Sequence, residues 1–276
     1  MYESQFSSNI NIALKLAWKS KIHITMSYFV VILLVVVLLV AEFSARQLAT
    51  VSLDMGISII KLSLPFIVVL LAQELFSREF DKKLNLTSLT YPCSRATWLL
   101  ARSFTIFLIS FSLLIIMAVI LAFLTTYAGE TYQQATPVSL GIPYLITLFF
   151  IGLDLLVVVA VSTLLAVSSV TTSFVLIGTF GFIFIARSYT PIIELLKSNP
   201  YAVSDYVDPE LYKDSLSAIS FILPDLGRLD VRMIAMYDKM EFLPDEWMLL
   251  VASVLAYVVA TFALSVWVLN KRELNQ

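Results

Sequence analysis

The chain has 276 residues, 59% hydrophobic and 14% charged, with a mean hydropathy of +0.91 and a formal net charge of −2. Soluble domains carry about 45–50% apolar and about 25% charged residues, so this composition excludes an ordinary soluble globule, a disordered chain and a nucleic-acid binder. The apolar residues gather in long charge-free runs, the pattern of an all-α polytopic membrane protein.

Residues 5–22 come first. They place Phe6, Ile10, Ala13, Leu14 and Ala17 at helical spacing beside Lys15 and Lys19, which predicts an amphipathic helix lying in the membrane interface. Residues 24–41 are charge-free, bounded by Lys19, Lys21 and Glu42. The run exceeds a signal-peptide core and is followed by a poor cleavage site, so it reads as a retained first span. The second span, 57–74, is interrupted by Lys61, expected to snorkel to the interface, and by Pro65, which a membrane helix tolerates. A charged connection over 76–98 leads to the third span, 103–127.

From 131 to 186 the only charge is Asp154. That stretch would make about 84 Å of helix, far too long for one crossing. The polar break Ser168-Ser169-Val170-Thr171-Thr172-Ser173 divides it into a fourth span, 142–167, and a fifth, 174–186. Residues 187–246 contain Pro191, Pro200, Pro209, Pro224 and Pro244 and predict short helices in a small external segment. Residues 247–270 form the last span.

The expected organisation is therefore an interfacial helix (1–23), spans one to five with their connection (24–186), an external segment (187–246), and the sixth span with its tail (247–276). No internal repeat is visible.

Lys and Arg set the orientation. With both termini inside, Lys15, Lys19, Lys21, Arg78, Lys82, Lys83, Arg95, Arg102, Lys271 and Arg272 are cytoplasmic, while most acids fall outside between 194 and 246.

Chemistry-bearing residues are scarce. Cys93 is the only cysteine and His23 the only histidine, which leaves no Cys/His metal set and no histidine-based triad with a second candidate. No G-x-x-x-x-G-K-[ST] phosphate loop occurs, so the chain is not expected to be an enzyme or to hold a cofactor. If it works with ATP, another polypeptide hydrolyses it.

The 76–98 connection is the most informative segment. It reads Ser77-Arg78-Glu79-Phe80-Asp81-Lys82-Lys83, then Leu86, Leu89-Thr90-Tyr91-Pro92-Cys93-Ser94-Arg95, and ends at Arg102 as the third span begins. It resembles the permease subunits of type-2 ABC transporters, where a short Arg-Glu-containing helix after the second span is followed by leucines, Pro-x-x-Arg and a basic residue. Arg78, Glu79, Leu86, Leu89, Pro92, Arg95 and Arg102 match that pattern, whereas Asp81-Lys82 stand where the family often has Gly-Thr. Hydroxyl residues from Ser162-Thr163 to Ser173 and the Leu223-Pro224-Asp225-Leu226-Gly227-Arg228-Leu229-Asp230 segment fit the same family.

The resemblance implies a homodimer driven by a cytosolic ABC ATPase and working as an exporter in a bacterial inner membrane. The ATPase would dock on Arg78, Glu79, Phe80, Asp81, Lys82, Leu84, Pro92 and Arg95. Alternatives are an ion-coupled secondary transporter and a membrane scaffold.

Asp154 lies near the middle of the fourth span, where an acid costs about 2.5–3.5 kcal/mol to insert. It reads either as a polar spot in a substrate or proton path, or as a neutral acid bonded to Ser162, Thr163 or Thr179. His23 and the four tryptophans Trp18, Trp98, Trp247 and Trp267 fall at expected membrane boundaries. The 187–246 segment is a candidate contact for an extracytoplasmic partner.

Overall fold

The computed structural model describes residues 2–44, 47–78, 94–130, 138–169, 171–198 and 224–271. Among them every regular element is helical. They are α1 (Tyr2–Lys19), α2 (Ile22–Phe43), α3 (Leu48–Ala72) running into a π turn (Gln73–Ser77), and α4 (Arg95–Glu130). There follow α5 (Ile142–Ser168), α6 (Thr172–Ser198), the short α7 (Arg232–Tyr237), a 3₁₀ turn (Met240–Phe242) and α8 (Trp247–Lys271).

Five helical stretches are long and apolar enough to cross a membrane: Ile22–Phe43, Leu48–Ser77, Arg95–Gly129, Ile142–Ser168 and Trp247–Lys271. The chain is thus a helical membrane protein. The stretch expected as the fifth span lies in α6, whose apolar part, Thr172–Ser188, is shorter than the other five. Helix α6 itself continues to Ser198, past the expected boundary at 187.

Burial distinguishes central from peripheral helices. Helix α5 is buried along most of its length, from Pro143 to Val167, and α3 along much of its own. Helix α2 instead buries one stripe, Leu33, Val37 and Ala41, four residues apart, and leaves Val31, Ile32, Val35, Leu38 and Leu39 exposed. Helix α8 does the same with Leu250, Val254, Val258, Thr261, Ser265 and Leu269. Four-residue spacing puts these side chains on one face, so each peripheral helix packs along a seam and shows its other apolar faces to lipid.

The α3–α4 contact is close enough to need glycine. A Cβ on Gly56 would fall 2.1 Å from Leu121 Cδ1, so any larger residue here requires the buried Leu121 side chain to move.

Two sequence expectations change here. Trp98 does not face lipid as an aromatic-belt residue would: it is 1% exposed, packs edge-on against Phe76 at 5.6 Å, and lies under the Arg102 guanidinium at 4.3 Å. The third span also begins earlier than 103, because α4 starts at Arg95, where Ser94 caps it by accepting from the Thr97 amide at 3.1 Å.

Candidate functional site

Three ionisable residues meet at one depth of the bundle. Counted from Ser77 at the end of the π turn, from Ser168 and from Thr172, Lys61, Asp154 and Arg187 are about 24, 21 and 22 Å along their helical stretches at 1.5 Å per residue. They form a layer well inside the apolar slab. Asp154 pairs with Arg187, Oδ2 to Nη2, at 2.5 Å, and Lys61 Nζ lies 3.0 Å from Asp230 Oδ2.

The segment before α8 supplies the acid for Lys61. It runs from Pro224 to Glu246 and folds back onto the bundle, burying Leu226, Leu229, Val231, Ile234 and Ala235. Its attachment is both apolar and ionic. Ser139 donates its amide to the Ala235 carbonyl at 3.0 Å. Arg232 clasps Asp230 at 2.5 Å and reaches across to Asp54 at 2.8 Å and the Ser58 hydroxyl at 2.7 Å, both on α3.

The result is a balanced network, with Asp54, Asp154 and Asp230 against Lys61, Arg187 and Arg232. Burial by itself would raise the Asp230 carboxyl. Hydrogen bonds from Arg232 and the charges of Lys61 and Arg232 outweigh that effect and hold it at about 2. Asp230 correspondingly raises the Arg232 guanidinium.

Lys61 does not snorkel. It is 6% exposed, because an acid comes to it from the segment above and an escape to the interface is unnecessary. Asp154 likewise does not rely on Ser162, Thr163 or Thr179. An arginine one helix away is a stronger partner than a hydroxyl, since it supplies the opposite charge as well as a hydrogen bond. The pair is satisfied on one side only: Asp154 Oδ1 and Arg187 Nε have no hydrogen-bond partner among the described residues.

Beside this pair a cavity of 540 Å³ lies between α3 and α6. Lys61, Arg187 and Ser188 provide its polar wall, and Pro65, Phe180 and Phe184 its apolar one. A spare acceptor and a spare donor beside a cavity offer hydrogen bonds to a polar group. No group of acids, histidines or cysteines able to hold a metal occurs among the described residues.

A second cluster gathers at the α1 end. Arg102, on α4, donates to the Leu75 carbonyl inside the π turn, and Arg95 donates to the Leu269 and Asn270 carbonyls at 3.2 and 3.1 Å. Arg78 pairs with Glu74 at 2.6 Å, one turn back on its own helix, and this hydrogen bond raises its guanidinium. Gln73 donates to the Thr172 carbonyl at 2.9 Å and so joins the turn to the start of α6. Of the residues expected to couple to an ATPase, Arg78 and Arg95 stand here. Glu79, Phe80, Asp81, Lys82, Leu84 and Pro92, and with them Cys93, lie outside the described residues.

Sequence reasoning singled out Asp154 and noticed Lys61, but missed Asp54, Ser58, Arg187 and Arg232 as their company. The available signal was electrical: a lysine and an aspartate inside spans each require a counter-ion, and Arg187 directly follows the fifth apolar run. Comparison with known proteins finds no family model and no curated protein that matches this chain.

Proposed function

We infer that the chain is the permease subunit of an ATP-driven ABC transporter, working as a homodimer with a separate cytosolic ATPase. The observation that carries this reading is the junction around the 79–93 connection. Both of its flanks are fixed to the bundle, through Phe76 on Trp98, Arg102 on Leu75, and Arg95 on the end of α8. A push on the connection would therefore reach α3, α4 and α8 together, which is what a soluble motor needs to move a membrane bundle. The sequence resemblance of 76–98 points to the same use.

On this reading α6 is the fifth of six spans. At 27 residues it is about 40 Å long, enough for a slab of roughly 30 Å, and its one charge near mid-depth, Arg187, is neutralised by Asp154. Both termini are cytoplasmic, α1 lies in the inner interface, and the extracytoplasmic segment begins after Ser198, where α6 ends, and runs to 246; it caps the pathway and meets any outer partner. Export from a bacterial cytoplasm is the corresponding direction. ATP stays on the partner subunit.

The test is co-purification. At matched membrane expression, Phe80→Ala and Leu84→Ala are expected to lower the amount of ATPase recovered more than Lys83→Ala, because apolar anchors outweigh rim charges. Glu79→Ala is the charge variant of first interest. Full recovery of the ATPase by all of these variants overturns the coupling role.

The buried network favours one other reading, an ion-coupled secondary transporter using Asp154 and Arg187. Proteoliposomes separate the two. Uptake driven by a proton or sodium gradient without nucleotide supports the second reading, and strict dependence on ATP and the partner supports the first.

A further inference from the structure

The wedge between α1, α2 and α4 has no role in the reading above. Helices α1 and α2 meet at a sharp reversal, where Lys21 takes the left-handed conformation at φ 62°. Trp18 and His23 stack across it at 4.8 Å. Below this turn opens a groove of 650 Å³, lined on α2 by Met26 and Val30 and on α4 by Ile109, Leu113 and Ile116. Those positions recur a turn apart on each helix, so the groove runs from the turn into the apolar slab.

The turn beside it is cationic, although no lysine lines the groove itself. Residues 4–41 contain no aspartate or glutamate, while Lys15, Lys19 and Lys21 are exposed around the turn. None of the three makes an ion pair among the described residues. Trp18, 71% exposed at the same level, has the amphipathic ring that favours the headgroup region.

An apolar slot beside a turn whose lysines make no ion pair among the described residues complements one kind of molecule, an anionic amphiphile. In a bilayer that is a phospholipid whose phosphate meets the lysines while one acyl chain fills the slot. We propose that this wedge is a binding site for an anionic phospholipid of the leaflet in which α1 lies, with Lys19 and Lys21 holding the headgroup. The bound chain fills the space between α2 and α4 and so fixes the angle at which α1 leaves the bundle. The proposal does not depend on ATP coupling.

The experiment uses the full chain reconstituted in vesicles of equal phosphatidylglycerol and phosphatidylcholine, extracted in mild detergent, with retained lipids counted by native mass spectrometry. The wild-type chain is expected to retain phosphatidylglycerol in excess. Lys19→Gln with Lys21→Gln is expected to lower that excess by about tenfold or more, since each juxtamembrane lysine is worth roughly fivefold toward anionic lipid.

Ser112→Phe distinguishes a seated lipid from a merely attracted one. Ser112 is exposed on the groove wall, so the larger ring blocks the slot without touching charge or core. It too is expected to abolish the excess. Equal retention of the two lipids by the wild-type chain overturns the proposal, as does an undiminished excess in either variant.

Discussion

The two ends of the bundle are held by arginines of different kinds. Near α1, Arg102 and Arg95 donate to backbone carbonyls, at the π turn and at the last turn of α8. Toward the other end, Arg187 and Arg232 meet carboxylates. The difference follows from the surroundings. Carbonyls at the end of α8 lack intrahelical donors and carry the negative end of its dipole, so a cation there meets partial charges already in place. Deep in the apolar slab no such supply exists, and each cation requires an acid brought from another element. The first arrangement clamps helix ends; the second ties three helices and a returning segment into one charge-balanced unit.

Removing one member of a buried pair should therefore hurt most. Asp154→Ala leaves Arg187 without its carboxylate, and a loss of about 3–5 kcal/mol is expected, read from unfolding by SDS in mixed micelles. Adding Arg187→Leu should restore part of the loss, because the double variant strands no charge. A double variant as unstable as the single would reduce the pair to ordinary packing.

The clamped end responds to volume instead. Trp98→Ala is expected to cost about 2–3 kcal/mol in the same assay. This is less than the about 3–5 typical of soluble cores, since lipid solvates an apolar side chain in the unfolded bundle and only the lost packing remains. It should also lower thermal stability without altering the pH response.

That response belongs to Asp230. A carboxyl held at about 2, against an ordinary value of 3.8, stabilises the fold while ionised. Its contribution, about 2 kcal/mol, is complete above pH 4 and is lost as the pH falls through about 2. Asp230→Asn should flatten the stability profile between pH 4 and pH 2, and an unchanged slope there would assign the acid sensitivity to other groups.

Asp54→Ala should have the smallest effect. Its side chain is 42% exposed and Arg232 keeps Asp230, so the expected loss is below about 1 kcal/mol. A larger loss would mean that the returning segment hangs on α3 chiefly through this contact.

Much of the architecture was legible from hydropathy alone. The α1 positions Ala13 and Ala17 are buried at the helical spacing that singled them out, and the first, fourth and last runs end within about two residues of observed helix ends. The second and third spans, however, start at Leu48 and Arg95, nine and eight residues before the expected 57 and 103. The fifth run was harder, because α6 carries an apolar stretch shorter than a full span and then continues as helix past Arg187. Trp98 misled because an aromatic beside a charged connection looks the same in sequence whether it faces lipid or Phe76.

By itself the sequence determined where the membrane helices run, since the cost of exposing backbone and charge to hydrocarbon depends only on local composition. It also required that Lys61 and Asp154 find partners. Only the tertiary structure decided which partners: Asp230, 169 residues along in numbering from Lys61, and Arg187, on the next helix after Asp154. Helix formation is a property of neighbours in the chain, whereas a buried charge is neutralised by whatever packing brings within about 3 Å, and no local pattern encodes that choice.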